Sequence, residues 1–208
     1  MGKITALKGG KGKNKRIDVF IDGRFAFSLE GDVVVVGALK VGRELTDSEV
    51  TKLAETDQRQ RGTNAAVRLL GYRPRSEAEL RDRLLRRGFE AATIDTVLGK
   101  LKEQGLVNDA DFALFWKENR QSFRPRSRRM TRLELRRKGV DSDVIDRIVG
   151  EIDDSDGAYR AAQPKARQMQ TTDYEVFRRR LGEYLRRRGF DYEVINHTVA
   201  KIWQERDS

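Results

Sequence analysis

The chain has 208 residues, 38% of them hydrophobic, which suffices for a modest core in one domain or two small ones. Lys and Arg number 43 against 33 Asp and Glu, and the resulting +10 favours an acidic partner without choosing between nucleic acid and protein. The absence of Cys and a single histidine, His197, exclude disulfides, thiol catalysis and an ordinary zinc centre, so no cofactor is expected.

The first 16 residues carry six basic side chains, no acidic ones, and glycines at 2, 9, 10 and 12, the pattern of a flexible or turn-rich arm around a short strand. The stretch "GGKGKNK" lacks the Gly-Lys-Ser/Thr of a phosphate loop. In "RIDVFIDGRFAFSL", Ile17, Val19 and Ile21 alternate before Asp22-Gly23, and Phe25, Phe27 and Leu29 alternate after it. Asp-Gly between alternating segments predicts a tight hairpin, since both central residues need positive φ. "DVVVVGALKVGREL" adds a third apolar segment, so residues 1–45 read as a small β-rich element. Its longest apolar run, Val33–Val36 with Ala38 and Leu39, is far too short to span a bilayer. A cytoplasmic, non-membrane protein is the expectation. "TDSEVTKLAETDQ" begins a helix capped by Thr46 or Asp47, and this linker helix completes an N-terminal extension over 1–60.

From Asn64 onward the periodicity is helical. Ser76-Glu77-Ala78-Glu79 is a capping box, Leu80 and Leu84 share a face, and Gly88 stands where a left-handed residue would close the helix. Ile94, Val97, Leu98 and Leu101 then mark a second helix. Gly88, Gly139 and Gly189 lie 51 and 50 residues apart, each preceded at four residues by Leu84, Leu135 or Leu185. Six residues after each glycine stand Ile94, Ile145 and Ile195. The unit is a helix, a tight turn and a helix, with room for a third helix such as "NDADFALFWKENR". This predicts repeats over 62–120 and 121–170, and a truncated third over 171–205. Phe112, Phe115, Trp116 and Trp203 read as core residues rather than base-stacking platforms.

Arg86-Arg87, Arg137-Lys138 and Arg187-Arg188 precede the three glycines, and the helix dipole accounts for part of that pattern. It does not account for Arg120, Arg124, Arg126, Arg128, Arg129, Arg132, Arg136, Arg137 and Lys138, which within 120–138 are opposed only by Glu134. Such density points to an acidic partner. Asp141, Asp143, Asp146, Glu151, Asp153, Asp154 and Asp156 follow at once, so a partner of mixed charge stays as open as bare nucleic acid. The candidate binding face is this tract, extended by Arg73, Arg75, Arg86 and Arg87 on one side and by Arg187 and Arg188 on the other.

"RPRSEAELRDRLLRRGF" from Arg73 to Phe89, followed by "VLGKLKEQGLVNDADFALFWKENR" from Val97 to Arg120, resembles the bacterial RecX regulatory proteins, which modulate the RecA recombinase. "RIDVFIDGRFAFSL" is similar, more loosely, to the β-containing extension of the longer members. The sequence departs at Thr131, which stands where Leu80 and Leu181 stand in the other copies. The resemblance implies a mainly α protein, an elongated, curved array of three-helix repeats with a small β-containing N-terminal extension. It also implies a non-enzymatic protein that binds the RecA filament on single-stranded DNA and inhibits its ATPase and strand exchange; a monomer is the expected state. Direct DNA contact is a possible addition. The competing reading is a DNA- or RNA-binding helical module that acts without recombinase.

Overall fold

In a computed structural model of the chain, which describes residues 2–9 and 16–206, the N-terminal region is a four-stranded antiparallel sheet of order β3-β2-β1-β4. Its strands are β1 (Gly2–Gly9), β2 (Arg16–Ile21), β3 (Arg24–Glu30) and β4 (Glu44–Leu45). The expected hairpin joins β2 to β3, with φ of 48° at Asp22 and 78° at Gly23. Ile17 faces Leu29 and Val19 faces Phe27, but a bulge after Val19 then pairs Phe20 with Phe25. The basic arm contributes β1, an inner strand rather than a loose end; residues 10–15 of that arm lie outside the described residues.

Val33–Val36 departs from the sequence reading. It lies in a short helix, α1 (Gly31–Val36), not in a strand. Val33 and Val34 are buried while Val35 and Val36 are exposed, a one-sided pattern that alternation in a strand cannot produce. The sheet core gathers Ile4, Val19, Leu29, Val33, Val34, Leu39 and Leu45.

Helix α2 (Asp47–Leu70) is one continuous element running through the expected boundary near 60. Thr46 caps it: Glu49 N–H donates to Thr46 Oγ1 at 3.2 Å and Thr46 N–H returns to Glu49 Oε2 at 2.8 Å. The first half of α2 packs Val50 and Leu53 on the sheet, and buried Asp57 accepts from Arg16 at 3.1 Å. The second half supplies Ala66 and Leu69 to a core shared with α3 (Glu77–Leu85) and α4 (Ala91–Glu103).

Two further cores repeat that arrangement. Helices α5 (Asp109–Phe123), α6 (Arg128–Arg137) and α7 (Ser142–Val149) close over Phe112, Leu135, Ile145 and Val149. Helices α8 (Asp154–Arg167), α9 (Tyr174–Arg186) and α10 (Tyr192–Gln204) close over Ala162, Phe177, Leu185 and Val199. The cores thus group the helices differently from the expected spans. Each lone helix packs with the pair that follows it, so α8 belongs with α9 and α10 and the third bundle has three helices. Thr131 is fully buried in the second bundle, filling the place leucines take elsewhere.

By its contacts the chain divides into two units, one built from the residues up to Arg73 with Leu80–Val107, the other from Pro74–Glu79 with the residues from Asn108 onward. The three repeat glycines have φ of 82°, 75° and 89°, the left-handed helix closures expected from their columns.

Candidate partner-binding face

Helix α6 begins at Ser127, whose Oγ accepts the Met130 N–H at 3.2 Å, and turns Thr131 and Leu135 into the core. The opposite face then carries Arg129, Leu133 and Arg136 at helical spacing. With Arg132 and Met130 they line a groove of about 220 Å³. A ten-residue helix with five arginines cannot aim them all outward, and the structure sorts them by what they meet.

Several cations of the tract are engaged within the fold. Glu134 accepts from Trp116 Nε1 at 2.8 Å, from Arg120 Nε at 2.7 Å and from Arg126 at 2.8 Å. Arg132 pairs with Asp146 at 2.8 Å. Arg128 donates its backbone N–H to Asp154 at 2.7 Å and its guanidinium to the Ile152 carbonyl at 2.8 Å. Burial pushes the Asp154 carboxyl up against the opposing pull of Arg128, and the nearby Asp191 and Asp153 add to the rise. Lys138 is tied to Glu79 at 2.6 Å and lies 4.1 Å from the centre of the Trp116 ring. Arg75, read from the sequence as a surface contact, is only 8% exposed and so offers no surface; Arg73 is half-buried.

A smaller set stands open. Arg87, Arg124, Arg129, Arg136, Arg137 and Arg187 are exposed and form no ion pair among the described residues. Arg86 is exposed too, beside Asp82 at 3.0 Å, a contact of small worth in water. Arg188 stacks on the Tyr184 ring at 4.0 Å, and desolvation holds its guanidinium below the ordinary arginine range, with the charges of Arg126, Arg124 and Arg187 adding to the effect.

The third bundle extends the face through residues the sequence reading did not single out. Arg179 and Arg186 stand fifty residues after Arg129 and Arg136, and both are exposed without an ion pair among the described residues. They border a groove of about 510 Å³ between α9 and α10, floored by Val176, Gly182 and Ile195. The repeat offset was the signal that could have found them. In the first copy the same columns hold Ala78 and Leu85, so the basic row starts with the second bundle.

The tryptophans are partly buried and pack against the cores, Trp116 on Phe112 at 5.9 Å and Trp203 on Phe177 at 5.0 Å between ring centres. Among the described residues no helix is long and apolar enough to cross a membrane.

A small N-terminal sheet followed by three three-helix bundles defines a tandem-repeat, mainly helical protein with several exposed arginines. Family models agree in order and extent: the regulatory protein RecX N-terminal domain matches residues 2–46, and the first, second and third three-helix domains of RecX match 63–101, 108–147 and 152–199. The chain belongs to the RecX family of regulatory proteins. The regulatory protein RecX of Bacillus pumilus (strain SAFR-032) is 28% identical over 206 residues, 98% of this chain and 78% of that protein. That of Clostridium beijerinckii is 27% identical over 208 residues, 97% of this chain and 96% of its own length. Among solved structures, a crystal structure of regulatory protein RecX shares the fold with a TM-score of 0.68 at 21% identity, covering 95% of this chain and 98% of that one. RecX from Lactobacillus salivarius gives 0.59 at 21% identity over 70% of this chain and 97% of its own.

Proposed function

We propose that this chain binds the RecA recombinase filament on single-stranded DNA and restrains its ATP hydrolysis and strand exchange. In this reading it works in the cytoplasm as a monomer, by binding rather than by catalysis. The observation that carries the reading is the row of exposed arginines that form no ion pair among the described residues, Arg129 and Arg136 on α6 and Arg179 and Arg186 on α9, repeated at a fixed offset in a chain of the RecX family. Such a row suits a target that is itself periodic and acidic, because each weak contact raises the effective concentration of the next. Arg124, Arg137 and Arg187 widen the face.

Direct reading of DNA by the helix-turn-helix pairs has less support. In such units the helix after the turn enters the major groove. Here α7 exposes Asp143 and Asp146 beside Arg147, and α10 exposes Glu193 beside Lys201, so both helices after the turns are mixed in charge, whereas Arg129, Arg136, Arg179 and Arg186 lie on the helices before the turns. The test is a titration of this protein into DNA-dependent ATP hydrolysis and strand exchange by the cognate recombinase. Both rates should fall as filament sites fill. Unchanged rates at saturating filament binding would remove the inhibitory reading, and tighter binding to naked DNA than to the filament at physiological salt would favour the direct binder.

A further inference from the structure

Arg87 occupies the column of Lys138 and Arg188, one residue before the repeat glycine, yet it alone of the three is exposed. Lys138 is held by Glu79 and Trp116, and Arg188 lies on Tyr184. What Arg87 meets instead follows from a glycine in α2. A Cβ on Gly62 would stand 3.1 Å from Val97 Cγ2 and 3.8 Å from the Phe89 ring. Without it, Phe89 seats against α2, and the turn bearing Arg87 comes alongside Arg61 and Arg68.

Arg61, Asn64 and Arg68 form a stripe on α2 at i, i+3 and i+7. With Arg87, Phe89 and Glu30 they line a pocket of about 250 Å³. The Arg61 guanidinium lies over the Phe89 ring, 5.9 Å from its centre. None of the three arginines has an ion pair among the described residues. Asn64 Oδ1 accepts from Gln60 at 3.2 Å, which leaves its amide N–H groups to donate elsewhere. The carboxylate on the rim, Glu30, is taken by Arg16 at 3.3 Å.

Three guanidiniums and a primary amide beside an aromatic ring form a donor-rich site whose one carboxylate, Glu30, is paired with Arg16, and forked guanidinium N–H groups match the oxygens of a phosphate. The rim residues Arg61, Asn64, Arg68 and Arg87 are all exposed, so a phosphate with both ester links continuing outward can enter. We propose that the α2–Gly88 pocket of Arg61, Asn64, Arg68 and Arg87 binds a backbone phosphate of a nucleic-acid strand. This site lies wholly in the first unit and shares no residue with the α6 and α9 row, and its test uses no recombinase, so its failure leaves the filament reading standing and the converse holds.

Fluorescein-labelled oligothymidylate is titrated with the full chain and with the triple variant R61Q/R68Q/R87Q across a salt series, read by anisotropy. The variant should lose about tenfold or more in affinity at low salt, and the slope of log K against log salt should shrink by about 2, three contacts at about 0.7 each on single strands. Asn64→Asp, which keeps the acceptor for Gln60 but plants a carboxylate in the pocket, should weaken binding without altering the fold. Inorganic phosphate at matched ionic strength should displace the oligonucleotide no better than chloride does. Failure of the parent chain to bind, unchanged affinity and slope in a folded triple variant or in Asn64→Asp, or specific displacement by inorganic phosphate would each overturn the proposal; the last would mark a site for free phosphate.

Discussion

Ser76 Oγ donates to the backbone carbonyl of Lys138 across 2.6 Å, joining residues 62 apart in the chain. The same oxygen accepts the Glu79 N–H at 3.1 Å, so one hydroxyl both caps α3 and seats the turn that ends α6. The arrangement recurs one repeat later: Ser127 caps α6, and its own N–H donates to the Arg188 carbonyl at 3.1 Å. Of these two serines, Ser76 alone donates its hydroxyl to such a carbonyl among the described residues. Ser76→Ala should therefore destabilise the chain by about 2 kcal/mol and Ser127→Ala by about 1 kcal/mol. Denaturant unfolding of both variants checks this, and equal losses would show that the bond to Lys138 contributes nothing beyond the cap.

The repeat glycines should also differ in tolerance. Gly88 has positive φ but open space around the missing Cβ, so Gly88→Ala should cost about 1–2 kcal/mol from backbone strain alone. Gly139 shares the strain, and a Cβ there would overlap the Cβ of Ala78. Gly139→Ala should cost roughly 2–4 kcal/mol, the strain plus overpacking. Adding Ala78→Gly should recover part of the Gly139→Ala loss and none of the Gly88→Ala loss. Matching unfolding midpoints for the two alanine variants would refute the close contact at Gly139.

The acid side of the stability profile should carry the mark of the α2 cap. The Thr46 N–H bond, followed by the bond from Arg43 and that from the Thr46 hydroxyl, lowers the Glu49 carboxyl from 4.5 to about 2. A carboxylate favoured in the folded chain stabilises it fully above its unfolded value, near 4.5, and that contribution disappears as pH falls through about 2. The stability gap between the parent and Glu49→Gln should thus be constant at neutral pH and shrink between about 4.5 and 2. Chemical denaturation of both proteins over that window is the measurement, and a gap that does not vary with pH would mean that the charge is not what holds the cap. Glu151, lowered by its bond to Lys117, is common to both proteins and cancels.

The helix–turn–helix pairs were legible because a left-handed closure admits few residues besides glycine, and apolar columns on either side of Gly88, Gly139 and Gly189 repeat in phase. The grouping of the lone helices was not. Phe112 and Trp116 on α5 mark a buried face without saying which neighbour buries it, and α8 hides its core role in small residues, Ala158, Ala161 and Ala162. Val33–Val36 misled because four valines suit a strand by propensity, while the burial of adjacent Val33 and Val34 depends on tertiary packing. The arginine tract was legible as a charge density and not as a surface. Glu134 pairs with both Arg120 and Arg126, and Glu79, 59 residues from Lys138, pairs with that lysine; neither pairing follows from local spacing.

That sorting of the cations leads to opposite outcomes for arginines that look alike in sequence. Arg124, Arg129, Arg136 and Arg137 are exposed and without ion pairs among the described residues, so changing all four to Gln should leave circular dichroism and unfolding nearly as in the parent. The same variant should bind the recombinase filament more weakly and with a flatter salt dependence, since fewer counterions are released per complex. Arg120→Gln should behave in reverse. Its Nε bond to the half-buried Glu134 carboxylate and its position over the Trp116 ring, 4.5 Å from the centre, are internal, and losing them should cost about 1–3 kcal/mol of stability. The salt slope of filament binding should barely move in that variant. Measuring unfolding and salt-dependent filament affinity on both proteins separates the two roles: a quadruple variant with parental affinity and slope would take α6 out of the interface, and a slope change in Arg120→Gln equal to that of the quadruple variant would mean that the ion pair with Glu134 opens on binding.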